Sequence, residues 1–178
     1  MSQLRAIFGL IFICASLSAC ATQLGTHSAY NDGVAAYRAK DYATARVEWQ
    51  KAVATGNAAA MNNLGYLFSE GLGGEPDETA AVQLWTTAAK LGQPEAAWHL
   101  GLAYQYGTGV PKSDVEAYAW YRCSVESSRA AGPDEDLDAE ILKDVNDALS
   151  KLMAAFPPEQ FGAAQELAGR YVQAYARK

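Results

Sequence analysis

Histidine and cysteine are the scarcest chemical groups in this 178-residue chain. There are two histidines, His27 and His99, and three cysteines, Cys14, Cys20 and Cys123. Any Ser-His-acid or Cys-His arrangement would have to run through His99, because His27 falls in a stretch that reads as a linker. The chain has no paired-cysteine metal motif, phosphate loop or dinucleotide fingerprint. Carboxylates are plentiful but scattered over polar faces, so their spacing proposes no glycosidase-like pair. The expectation is a chain that is not an enzyme and carries no cofactor. Positive charge is also in short supply, with 14 Lys and Arg against 20 Asp and Glu. A phosphate backbone needs a basic face, so nucleic acid is excluded as a partner. Long apolar runs are missing as well. The longest, from Ala6 to Ala15, falls short of the ~20 residues that a spanning helix requires.

That short run has an address of its own. Arg5 precedes it and the small residues Ser18 and Ala19 follow, the layout of a secretory signal. Leu17-Ser18-Ala19-Cys20 resembles the bacterial lipobox. The resemblance implies removal of residues 1–19, acylation of the Cys20 thiol and a lipidated linker over 20–28. One acyl chain holds a membrane marginally, whereas two or more anchor stably. Ala21, standing where many inner-membrane lipoproteins have Asp, favours the outer membrane by the same family rule, with the protein facing the periplasm. Loss of Arg5 takes the formal charge from −6 to −7. Cys123 is then the one free thiol, so no internal disulfide can form. With no resolving cysteine beside it, Cys123 reads as a small buried hydrophobe.

Repetition organises the remainder. Ala45, Trp49, Ala52 and Gly56 recur 36 residues later as Ala81, Trp85, Ala88 and Gly92. A further 36 gives Ala117, Tyr121, Ser124 and Ser128. Leu64-Gly65, Phe68, Gly71 and Gly73 share that offset with Leu100-Gly101, Tyr104, Gly107 and Gly109. Apolar residues at helical spacing on both sides of the glycines predict helix, glycine turn, helix. Gly65 and Gly101 let the paired helix approach, and Trp85 and Tyr121 fill the wider parts of the interface. Ser113 with Glu116 predicts a capping box, and Pro94 suits a first helical turn.

Ala97, Leu100-Gly101, Tyr104, Gly107-Thr108-Gly109-Val110, Asp114, Ala117 and Trp120-Tyr121 resemble the Sel-1-like repeat, a longer-looped relative of the tetratricopeptide repeat. The preceding unit departs at Gly74 and Glu75, where Val and its follower would stand, and at Leu84. The first unit lacks the glycine loop and turns at Asp41-Tyr42, like a plain tetratricopeptide unit. The resemblance implies an all-α, right-handed superhelix of stacked hairpins with units at about 29–57, 58–93 and 94–131. Beyond a polar hinge at 132–136, two amphipathic segments separated by Pro157-Pro158 read as a helical cap over 132–178, covering the last apolar face. The acidic hinge lacks the glycine a calcium loop needs, and no metal site is expected.

In such a stack the first helices line a concave face. With Gly33, Gly65 and Gly101 as common packing position, the residues three before it are Tyr30, Asn62 and Trp98. Those one after are Val34, Tyr66 and Leu102, and those four or five after include Tyr37, Arg38, Glu70, Gln105 and Tyr106. Tyr, Trp and Arg commonly carry interface energy, and amides can pair with an extended backbone. The expected partner-binding set is therefore Tyr30, Tyr37, Arg38, Asn62, Tyr66, Glu70, Trp98, Gln105 and Tyr106. His99, equivalent to Asn63, is expected at a structural or rim position. The reading is a membrane-anchored envelope scaffold that binds another envelope protein or peptide. The alternative is a cell-wall glycan-binding module or envelope enzyme using the same cleft.

Overall fold

The structure is a computed structural model that describes residues 29–131 and 139–176. The signal sequence, Cys20 with its linker, and the polar hinge lie outside the described residues. Within them the chain forms α1 (29–38), α2 (Tyr42–Val53), α3 (Ala58–Ser69), α4 (Glu78–Lys90), α5 (Pro94–Tyr106), α6 (Asp114–Ala131), α7 (Ala139–Ala155) and α8 (Pro158–Tyr175), with no strand. The first six pair as hairpins in a right-handed α-α superhelix, and α7 and α8 close its end.

The repeat period sets where each helix starts. Asp41, Asp77 and Ser113 stand 36 residues apart, and each side chain accepts a hydrogen bond from the backbone N–H three residues on, at 3.1, 2.9 and 3.2 Å. Asn57 and Gln93 cap α3 and α5 at the same interval, with Pro94 in the first turn of α5, where its missing N–H costs nothing. The capping box at Ser113 is half made. Ser113 accepts from Glu116 N–H, but the Glu116 carboxylate turns away to accept from the Tyr171 hydroxyl at 2.9 Å. A tertiary partner on α8 has won the side chain that local capping would have used.

Within each hairpin the small and the large residue meet each other directly. A Cβ built on Gly65 would lie 2.6 Å from Trp85 Nε1, and Gly33 and Gly101 are covered in the same way by Trp49 and Tyr121. The sequence reading assigned glycine and aromatic to separate parts of the interface; they are one contact, because the ring fits only where no Cβ intervenes. Each indole also finds an acceptor on the facing helix. Trp49 Nε1 donates to the Tyr30 carbonyl and Trp85 Nε1 to the Asn62 carbonyl, both at 3.2 Å. Burial of an aromatic this size contributes about 3 kcal/mol, and the bond removes the cost of burying its N–H.

Between hairpins the glycine loops lie on the preceding unit. Gly73 has φ 76° and would place a Cβ 2.5 Å from the Tyr42 backbone; Gly109, with φ 70°, stands in the same relation to Glu78. Both the left-handed conformation and the close approach require glycine there. The departure at Gly74 has a compensating residue. Arg46 Nε donates to the Leu72 carbonyl at 2.6 Å, and Nη2 reaches the carbonyls of Leu67, Gly74 and Glu75 at 3.0 to 3.4 Å. Its guanidinium lies 4.6 Å from the Phe68 ring centre, and a Cβ on Gly74 would meet it at 2.7 Å. One unit later these two places hold Val82 and Val110, which pack in the core. An arginine over glycine and a valine pair are alternative fillings of one repeat interface.

The closing pair covers the stack unequally. Val145, Leu149 and Leu152 of α7 and Ala164 and Ala168 of α8 share a core with Tyr118, Tyr121 and Val125. Helix α8 continues along α6 to reach α4 of the second unit, and Trp120 of α6 packs against Tyr171 at 4.5 Å and stacks with Tyr175 at 6.0 Å. Cys123 is fully buried there, and desolvation pushes its thiol up to about 11, which leaves it a packing residue.

Candidate functional site

Helices α1, α3 and α5 line a trough made of three pockets in series. Tyr30, Val34, Tyr37, Arg38, Asn62 and Tyr66 contribute to a first pocket of about 390 Å³. Tyr66, Glu70, Trp98, Leu102 and Tyr106 contribute to a second of about 280 Å³. The first two share Tyr66 and His99 as walls. A third, of about 230 Å³, shares Trp98, Leu102 and Tyr106 with the second and is closed by Asp144, Asp147 and Lys151 of α7. Gln105 lies in this last pocket, its Oε1 accepting the Tyr121 hydroxyl at 2.6 Å. All nine residues selected by register therefore line one continuous concavity.

The register is less uniform in exposure than in position. Tyr106 is 70% exposed at the rim, whereas Asn62 is 3% exposed and is not the open surface position its register implied. Its side-chain nitrogen donates to Glu95 Oε2 at 2.8 Å and its backbone carbonyl accepts from the Trp85 indole, so the residue is drawn into the helix interface.

His99 is the principal lining residue that the register did not select. Of the two expected positions, structural or rim, it takes the structural one, and it also lines both of the first two pockets. Its ring stacks on Trp85 at 4.6 Å and 13°, with Trp98 at 4.7 Å and Tyr66 at 6.3 Å. Burial among these rings pulls its pKa down to about 4. The imidazole is neutral at ordinary pH and serves as an aromatic wall. Desolvation, with the nearby Tyr37 and Glu70, raises the Tyr66 hydroxyl pKa, so that group is also neutral. Among the described residues no cluster of three His, Cys, Asp or Glu could hold a metal ion.

Trp49, Trp85 and Tyr121 form the floor beneath the glycines, and α7 supplies the end wall; neither was selected from the sequence. The glycine-aromatic period was a usable signal for the floor. Nothing in the repeat pattern marks α7.

Comparison with known families matches the Sel1 repeat model at residues 58–93 and 94–128. This chain carries two Sel1 repeats. Among solved structures it is similar to c5321, a protective antigen of uropathogenic Escherichia coli displaying an SLR fold, with 26% identity and a TM-score of 0.75. The match covers 88% of this chain and 32% of that one. It is also similar to a Sel1 repeat protein from Oxalobacter formigenes, at 32% identity and TM-score 0.52, over 67% of this chain and 54% of that one. The chain thus spans about a third and about half of these two structures. No curated protein matches. The comparisons indicate no catalytic family.

Proposed function

We propose that this Sel1 repeat chain is a lipid-anchored scaffold of the bacterial envelope, held in the outer membrane through Cys20, whose trough binds an extended segment of another envelope protein. The continuity of the three pockets carries the reading. They share walls, so one peptide strand can occupy them in sequence, and their lining alternates aromatic faces with amide and carboxylate groups. Aromatics supply apolar contact at low entropic cost while the polar groups fix register. The Sel1 fold is consistent with a protein-interaction scaffold. The anchor rests on the lipobox at Leu17–Cys20.

Crosslinking in cells that produce the full chain, followed by affinity recovery and mass spectrometry, tests the scaffold. The double variant Trp98→Ala, Tyr106→Ala is expected to lose its partner; recovery equal to wild type would reject the trough. Recovery on insoluble peptidoglycan in place of a protein would move the trough to glycan binding. Labelling with radioactive fatty acid should mark wild type and not Cys20→Ser.

A further inference from the structure

Trp98, Leu102 and Tyr106 stand four residues apart on α5, and each lines both the second and the third pocket. They form a ridge with a hollow on either side. Tyr66 of α3 walls one hollow, and Ala148 of α7 walls the other. The ridge also carries hydrogen-bond donors. The indole N–H groups of Trp49 and Trp85 are spent on helix carbonyls. That of Trp98 has no acceptor among the described residues, and its nitrogen is open to solvent. The Tyr106 hydroxyl, on a residue 70% exposed, donates to no described atom either. Carboxylates stand at the mouths of the two hollows. Glu70 of the second pocket and Asp144 of the third are exposed and join no ion pair among the described residues.

We propose that this ridge binds a proline-rich segment of the partner in the polyproline II conformation. Its rings pack against Tyr66, Trp98 and Tyr106, its carbonyls accept from Trp98 Nε1 and the Tyr106 hydroxyl, and a flanking lysine or arginine faces Glu70 or Asp144. The inference rests on the reading of the trough as a peptide site. Polyproline II has about three residues per turn, so neighbouring side chains can straddle a ridge and enter the hollow on each side. Its backbone makes no internal hydrogen bonds, which leaves every carbonyl for an outside donor. A proline brings that carbonyl with no N–H of its own, and so demands no acceptor among the rings. The conformation exists before binding, and little ordering entropy is lost when it docks on aromatic side chains. The acidic balance of the chain favours a basic flank. Lys151 of the third pocket works weakly against it at Asp144.

Panning a random dodecapeptide phage library on the full chain in detergent tests the assignment, counting only peptides lost on the Trp98→Ala, Tyr106→Ala double variant. These should share at least two prolines at fixed positions, with Lys or Arg beside them. A synthetic representative should bind roughly tenfold or more weakly when alanine replaces its fixed prolines. Trp98→Phe keeps an aromatic ring and removes the N–H, and should weaken binding by about three- to tenfold. Glu70→Gln with Asp144→Asn should weaken it by about two- to threefold, the scale of an exposed charge interaction. The alanine arm needs no protein variant, so a misfolded mutant cannot rescue or sink the claim. Trough-dependent peptides with no fixed proline, or binding indifferent to the alanine exchange or to Trp98→Phe, would overturn the polyproline site and leave the trough intact. Absence of any trough-dependent peptide would overturn both.

Discussion

Trp85 lies on the bare backbone of Gly65: a Cβ at Gly65 would fall 2.6 Å from the indole nitrogen, which itself donates to the carbonyl of Asn62 on the same helix. That one contact joins the fold to the trough. It seats the floor ring and draws Asn62 to the wall of the first pocket. Gly65→Ala should lower stability by about 2–3 kcal/mol, the cost of overpacking against a ring with no room to move. Gly162 is the control, since a Cβ there meets nothing within 4 Å on helical, exposed backbone. Gly162→Ala should be neutral or stabilise by up to about 1 kcal/mol. Urea unfolding of the two variants measures both.

The exchange of Arg46-Gly74 for Val82-Val110 predicts coupling. Arg46→Val removes a cation from several loop carbonyls and should cost about 2 kcal/mol. The three atoms nearest a Cβ at Gly74 all belong to Arg46, so Arg46→Val with Gly74→Val should recover at least half of that loss. Additive losses in the double-mutant cycle would show that the interfaces are not interchangeable.

His99 should make the protein acid-sensitive over a defined window. Its folded pKa of about 4 lies below its ordinary 6.5, so between those values the unfolded chain binds a proton that the folded chain refuses. Stability should therefore fall as pH drops from 6.5 to 4, with no His99 contribution above 6.5. His99→Gln should flatten that slope, by about 1–3 kcal/mol in total. Thermal midpoints recorded at half-unit pH steps would reveal it; a slope unchanged by the substitution would count against a buried neutral imidazole.

Tyr171 ties the closing helix to the stack through its hydroxyl on Glu116. Tyr171→Phe keeps the packing on Trp120 and removes that bond, with an expected loss of about 1–2 kcal/mol. Hydrogen exchange should then rise in α8 before α3 or α5.

The hairpins, their turns and the lining of the trough were legible because repetition reports what each unit does to its neighbour at a constant offset. Gly65 with Trp85, and Asp41 with Asp77 and Ser113, are of this kind. What escaped were side chains that act outside their unit. Arg46 fills a place held elsewhere by valine, Glu116 leaves its cap for Tyr171, and His99 finds its stacking partner in the previous hairpin. Helix α7 enters the site from beyond the repeats, where no periodicity reaches.

The central claim is that the concave face is the working surface. A photo-crosslinking amino acid placed in living cells at Ser69, in the trough, and at Val47, 50% exposed on α2, compares that face with a site outside it. The account predicts a discrete adduct with an envelope protein from position 69 and none from position 47. Adducts from position 47 alone, or equally from both, would contradict it.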